Sequence, residues 1–199
     1  MTNWFVSDTH YNHANICRGI SKWTNLQFTR PFETLQEMNR SIVTNLNQYI
    51  GKNDTLYFLG DWSFGGIQNI EDFRLLLNCE NIIFICGNHD HHIKRNALVN
   101  KDKNLYASDY FDSIHNYLEI KINGQILVLC HFPIQEWFEM DRGSIMLHGH
   151  THHSLDGTVL NTFYKRMDVG YIDRPYSFEE ILKIMESREL KTRYEYKDH

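Results

Sequence analysis

Residues 55–61 read Thr-Leu-Tyr-Phe-Leu-Gly-Asp, an apolar, β-prone run that stops at a glycine followed by a carboxylate. A short apolar run bounded by turn residues predicts a buried strand. The same design recurs on either side. Upstream, Trp4-Phe5-Val6-Ser7 runs into Asp8-Thr9-His10; downstream, Ile82-Ile83-Phe84-Ile85-Cys86 runs into Gly87-Asn88-His89-Asp90. Between these strands the apolar spacing changes to three and four. Leu35, Met38, Ile42, Leu46 and Tyr49 mark one helix face, closed by Gly51, and Ile70, Phe73, Leu76 and Leu77 mark a second. Strand, helix, strand, helix, strand predicts a layered α/β fold.

The second half is richer in strands. Ser113–Ile122 and Gln125–Cys130 flank Asn123-Gly124, the dipeptide that most strongly marks a hairpin, and the second strand delivers His131. Ile145-Met146-Leu147 leads into His148-Gly149-His150-Thr151-His152. Ser177 and Glu180 form a capping box for a helix over Phe178–Met185. Residues 11–31, broken by Gly19 and Pro31, read as a loop with one helical turn. No repeat, low-complexity tract or linker divides the 199 residues, so a single domain over 1–199 is expected.

Composition narrows the function classes. With 42% hydrophobic and 23% charged residues the chain has a globular composition. A net charge of −5 argues against a protein that coats long nucleic acid, which needs a basic face. It leaves a nucleotide-sized substrate open, because bound cations invert the local field. Cys17, Cys79, Cys86 and Cys130 make no CxxC pair, and Met1–Asp8 shows no signal segment, so a cytoplasmic protein with reduced thiols is expected. No apolar run approaches the ~20 residues that span a bilayer, so no membrane partner is expected. Nothing in the pattern specifies an oligomeric state.

Five polar clusters stand at the ends of five expected strands: Asp8/His10, Asp61, Asn88/His89/Asp90, His131 and His150/His152. In α/β sheets, ligand sites gather outside the carboxyl ends of strands. Carboxylate, imidazole and amide oxygen together suit a transition-metal site, and no thiolate cluster competes. Two such cations roughly 3.5–4 Å apart can clamp an in-line displacement at phosphorus, given a bridging carboxylate and a proton donor that is not a ligand.

The ordered set Asp8-Thr9-His10, Gly60-Asp61, Gly87-Asn88-His89-Asp90, His131 and Gly149-His150-Thr151-His152 resembles the calcineurin-like metallophosphoesterases, and it runs through most of the chain. Arg30-Pro31-Phe32 through Glu37-Met38-Asn39 is further similar to a compact subgroup found in bacteria and their phages; for a phage-encoded member the compartment is the host cytoplasm. The resemblance implies a β-sandwich of two mixed sheets flanked by helices. It also implies two divalent ions per chain, manganese first, with iron, zinc, nickel or magnesium as alternatives. Asp8, His10, Asp61 and His152 would hold one ion. Asp61 would bridge to the second, completed by Asn88, His131 and His150, with a hydroxide between the ions as nucleophile. His89 would protonate the leaving oxygen and Asp90 would orient His89. The second motif lacks the arginine of the protein phosphatases and the third ends in Asp90 rather than glutamate, which speaks against a protein substrate.

Each residue alone has a plainer reading. Asp8 and His10 could be a strand-end turn, Asn88 a left-handed turn, and His131 a partly buried histidine. His150 and His152 share parity on an extended segment and so can face one site. His148 reads as core or supporting, His153 as surface, and His91 and His92 as the start of a helix. His13 and Arg18 are the candidates for substrate phosphate, with Arg30 and Arg142 as further cations whose default is solvated surface. Trp62, Phe64, Trp137 and Phe138 lie where a base could stack or a loop could pack. The expected activity is hydrolysis of a nucleotide, cyclic nucleotide or short oligonucleotide diester. A small phosphomonoester is the rival substrate, and a metal-binding scaffold without activity is the alternative class.

Overall fold

The computed structural model describes residues 1–190. Its elements in chain order are β1 (Asn3–Val6), α1 (Leu35–Tyr49), β2 (Thr55–Phe58), α2 (Gln68–Leu76), β3 (Asn81–Ile85), α3 (His91–Lys94), β4 (Leu98–Asn100), β5 (Leu105–Tyr106), β6 (Ser113–His115), β7 (Tyr117–Ile122), β8 (Gln125–Cys130), β9 (Ile145–His148), α4 (Val159–Thr162), β10 (Arg166–Asp168), β11 (Tyr176–Ser177) and α5 (Phe178–Met185). Three short 3₁₀ turns occupy 14–28, where one helical turn was expected.

Alternation along the strands sorts the side chains into separate cores. Val6, Leu56, Phe58, Ile82 and Phe84 face α1 and α2, where Met38, Ile42, Leu46 and Phe73 are buried against them. Phe5, Tyr57, Leu59 and Ile85 point the other way, onto Leu127, Leu129, Ile145 and Leu147 of a second sheet. Behind that second sheet, Val128, Cys130 and Met146 pack on Trp137 and Met140. The fold is therefore a mixed α/β sandwich: a five-stranded sheet ordered β11-β1-β2-β3-β6 against a four-stranded sheet ordered β10-β9-β8-β7. Strands β1, β2, β3 and β6 run parallel, so β1, β2 and β3 end on the same edge. Strands β8, β9 and β10 are also parallel to one another.

The continuous strand expected over Ser113–Ile122 is two strands. β6 pairs parallel with β3 in one sheet, and after Asn116 the chain crosses to pair antiparallel with β8 in the other. The apolar pattern carries through the crossover, which is why it reads as one strand. Capping boxes start α1 at Thr34/Glu37 and α5 at Ser177/Glu180. Among the described residues no helix is long and apolar enough to cross a membrane.

Candidate metal centre

The loops that leave β1, β2, β3, β8 and β9 meet at one edge of the sandwich. Their backbones pair past the strand ends: the Asp8 N–H donates to Gly60 O at 2.9 Å, His10 N–H to Asp61 O at 3.0 Å, and Gly149 N–H to His131 O at 3.0 Å. The approach is so close that glycine is required. A Cβ on Gly149 would fall on Ser7 Oγ, and one on Gly60, whose φ is +93°, would collide with Gly87 and His131. Asp8, His10, Asp61, His150 and His152 themselves lie at positive φ, between 45° and 68°. Non-glycine residues seldom adopt this conformation, and it concentrates at functional sites.

The seven expected ligand residues converge in two overlapping groups. Around Asp8, the Nε2 atoms of His10 and His152 lie 3.1 Å apart, with Asp8 Oδ1 3.5 Å from His152 Nε2 and 3.8 Å from His10 Nε2. Around Asn88, its Oδ1 lies 2.8 Å from His131 Nε2 and 2.9 Å from His150 Nδ1. Asp61 Oδ2 sits between the groups, 3.6 Å from both His10 Nε2 and His131 Nε2. His150 and His152 occupy left-handed turn positions rather than an extended segment, and they face different groups. Contrary to the expectation from parity on an extended segment, the two histidines therefore do not face one site.

The donor set fits divalent cations. Asp8 Oδ1 is buried without a hydrogen-bond partner among the described residues, although Oδ2 accepts the His150 N–H at 2.9 Å. His131 Nδ1 donates to Leu59 O at 2.7 Å, which leaves the Nε2 lone pair aimed at Asp61 and Asn88. Burial holds His10 well below its usual pKa, so its imidazole is a neutral donor atom. Burial, followed by the Asp8 charge, pushes Asp61 up to about 6.

The supporting residues are less legible in the sequence. Asp90 was expected to orient His89, but its carboxylate engages backbone N–H groups instead. Oδ2 accepts the N–H groups of Asp61 and Gly87, both at 2.7 Å, and Oδ1 accepts Trp62 N–H at 3.0 Å. His89 is exposed, and its N–H donates to Asp61 Oδ1 at 2.9 Å. Arg30 is half-buried rather than solvated: its two terminal nitrogens donate to Asp8 O and Thr9 O, both at 2.6 Å. Asp168 takes Thr151 Oγ1 and the N–H groups of His153 and Gly170, fixing the loop that carries His150 and His152. No motif marks Arg30 or Asp168 as a loop anchor.

Arg18 is exposed and donates to Thr29 Oγ1 and to the Thr29 carbonyl. His13 is buried beside His10, with its ring stacked on Phe64 at 3.9 Å between centroids. Burial, then the neighbouring His89, lowers its pKa to about 4. His153, expected at the surface, is part-buried between Asp156 and Gly170 O; these bonds outweigh burial and raise its pKa to about 9. His148 is fully buried and faces Asn161, and His91 and His92 open α3. Trp62 and Trp137 are core residues whose indole N–H groups donate to Ile70 O and Ser144 O, so neither offers a base a free face.

The chain has relatives in sequence and in fold. An uncharacterised protein of Methanocaldococcus jannaschii, MJ1445, is 30% identical over 190 residues, covering 92% of this chain and 90% of its own. The gene 66 protein of Mycobacterium phage D29 is 29% identical over 166 residues, or 75% of this chain and 77% of its own. In fold, the chain is similar to a protein of unknown function from Aquifex aeolicus, AQ665. The TM-score is 0.62 at 23% identity, over 92% of this chain and 99% of that one. A family model described as the calcineurin-like phosphoesterase superfamily domain matches residues 1–164. The chain belongs to the calcineurin-like phosphoesterase superfamily.

Proposed function

We propose that this phosphoesterase cleaves a nucleotide-like phosphodiester at a centre of two divalent cations, manganese foremost. The observation that carries the reading is the position of Asp61 Oδ2, equidistant at 3.6 Å from His10 Nε2 and His131 Nε2. An oxygen at equal distance from both donor groups supports a bridging role. Asp8, His10, Asp61 and His152 would hold the first ion, and Asp61, Asn88, His131 and His150 the second. When bound, such cations neutralise charge on the phosphoryl oxygens and make a water nucleophilic near neutral pH.

The chain's own contribution is position and proton transfer. His89 is exposed at the rim, its backbone tied to Asp61 Oδ1 and its ring 5.5 Å from that of His10. It is close to the cluster without joining either group of donor atoms, which suits a proton donor to the departing alkoxide. The guanidinium groups of Arg18 and Arg30 are already engaged by Thr29 and by the carbonyls of Asp8 and Thr9. With both forks occupied, the site suits the single negative charge of a diester better than the roughly doubled charge of a monoester.

The test is metal content and turnover together. The full chain loaded with Mn²⁺ should bind two ions and hydrolyse bis-p-nitrophenyl phosphate faster than p-nitrophenyl phosphate, and EDTA should abolish both activities. Asp61→Asn should lose one or both ions along with activity. Two ions retained in that variant would remove the bridging role. Preference for p-nitrophenyl phosphate would reassign the enzyme as a monoesterase, and two bound ions without turnover of any ester would favour a scaffold.

A further inference from the structure

Beside His89, on the side away from the metal-donor loops of the second sheet, lies a hollow of about 380 Å³. Its walls include Phe64 and the adjacent His91 and His92, and Ile70 and Ile93, both buried, also line it. The Phe64 ring is fixed in place by its stack on His13 and meets the His89 ring edge-on at 5.3 Å. The rings of His91 and His92 lie 4.0 Å apart. Ser63, Gly65, Gly66 and Asp90 complete the lining, and a Cβ on Gly66 would meet nothing within 4 Å.

We propose that this hollow is the leaving-group subsite and that it takes a nucleoside, the departing alcohol of the diester. The inference rests on the phosphodiesterase reading, because that reading fixes the side. A proton donor must lie within hydrogen-bond reach of the oxygen that leaves, so the carbon framework attached to that oxygen lies next to His89. The chemistry of the walls then selects the group. An aromatic ring and two imidazoles beside aliphatic side chains favour a flat heterocycle. The volume falls within the range of small-molecule sites, which run from about 300 Å³ upward. The one carboxylate in the lining, Asp90, is buried with both oxygens engaged by backbone N–H groups, so it does not oppose a ligand. In the reaction, the oxygen of a water bonds to phosphorus as the P–O bond to the nucleoside breaks. The His89 proton goes to the nucleoside oxygen, which departs into the hollow as a neutral alcohol, and the proton shed by the water passes to solvent, from which His89 is reprotonated.

The experiment is a titration of the Zn²⁺-loaded full chain with adenosine, ribose and inorganic phosphate in turn, following the imidazole resonances by NMR. Adenosine should shift His91 and His92 and leave His115 unmoved, and ribose should shift none of the three. Phe64→Leu, which keeps bulk but removes the ring, and the double variant His91→Ala/His92→Ala should each weaken adenosine about tenfold, as expected for loss of base stacking. Adenosine should also inhibit diester hydrolysis competitively. An adenosine response centred elsewhere, or no response while bis-p-nitrophenyl phosphate is turned over, would overturn the subsite and leave the phosphodiesterase reading standing. Perturbation of His91 and His92 by phosphate alone would make the hollow an anion site instead. Adenosine bound there without turnover of any ester would remove the leaving-group role together with the phosphodiesterase reading.

Discussion

The backbone N–H of Asp61 donates to the Asp90 carboxylate at 2.7 Å, and this bond holds the central carboxylate of the site in a left-handed turn at φ 57°. The two acidic residues thus have unlike tasks. Asp61 presents an oxygen to the cluster, and Asp90 gathers three backbone donors behind it. Asp90→Asn keeps the shape but turns an amide toward N–H groups that need an acceptor. Mn²⁺ affinity or turnover should fall about 10–100-fold, the usual cost of losing a supporting partner. Metal titration of the variant checks this, and unchanged affinity and rate would show that the Asp61 turn holds itself.

His89 stands at the cluster without sharing its donor atoms. His89→Ala should therefore retain the full complement of metal while kcat falls about 10²–10⁴-fold on a diester with an alkyl leaving group. The loss should be much smaller for p-nitrophenolate, which leaves without a proton. Equal losses on both substrates would assign His89 to binding rather than proton transfer.

Arg30 supports the first ligand loop from below through two bonds of 2.6 Å to the carbonyls of Asp8 and Thr9. Arg30→Met leaves those acceptors unpaired at about 1–3 kcal/mol, and for a chain of this size the Tm should drop by roughly 2–12 °C. Arg30→Lys should recover little, since a lysine ammonium lacks the rigid fork. Calorimetry of the two variants side by side decides it; full recovery by lysine would reduce the role to charge.

Away from the site, Glu71 of α2 accepts both bonds of the Asn100 amide, at 2.9 and 3.0 Å, and ties the helix to the β4–β5 hairpin. That hydrogen bonding, with Gln68 adding to it, holds the Glu71 carboxyl below its ordinary 4.5. A carboxyl depressed in the folded state contributes stability above its unfolded pKa and loses it as the pH falls through the folded value. The wild type should therefore exceed Glu71→Gln in stability near neutral pH, and the two curves should draw together below about pH 4.5. Denaturant unfolding across that range measures the difference. A constant gap between the curves would rule out the ionised carboxylate as its source.

Much of this was legible because the chemistry stands at strand ends in chain order. Short apolar runs ending in Asp8, Asp61 and Asn88 locate the ligand edge, and the 3.6-residue spacing of Met38, Ile42 and Leu46 locates the face of α1. What escaped was information carried by non-local geometry. The crossover at Asn116 leaves the apolar pattern unbroken, so two strands look like one. The left-handed turns at Asp8, Asp61, His150 and His152 involve residues that do not advertise positive φ as glycine does. Arg30 donates to carbonyls 21 and 22 residues away and Asp168 accepts the His153 N–H 15 residues away, and no spacing rule links a lone side chain to backbone atoms at such separations.

The donor atoms of the site come from both layers of the sandwich. Asp8, His10, Asp61 and Asn88 follow strands of the five-stranded sheet, and His131, His150 and His152 follow strands of the other. On the proposed ligand set, a cation gripped by both sides would be a cross-link that forms only after the layers have docked and must be released before they part. Its supply should leave the folding rate nearly untouched and slow unfolding, because the contact it makes is absent from any state with separated sheets. Resistance to proteolysis and heat inactivation over time, rather than folding yield, is then the property that follows metal supply in the cell.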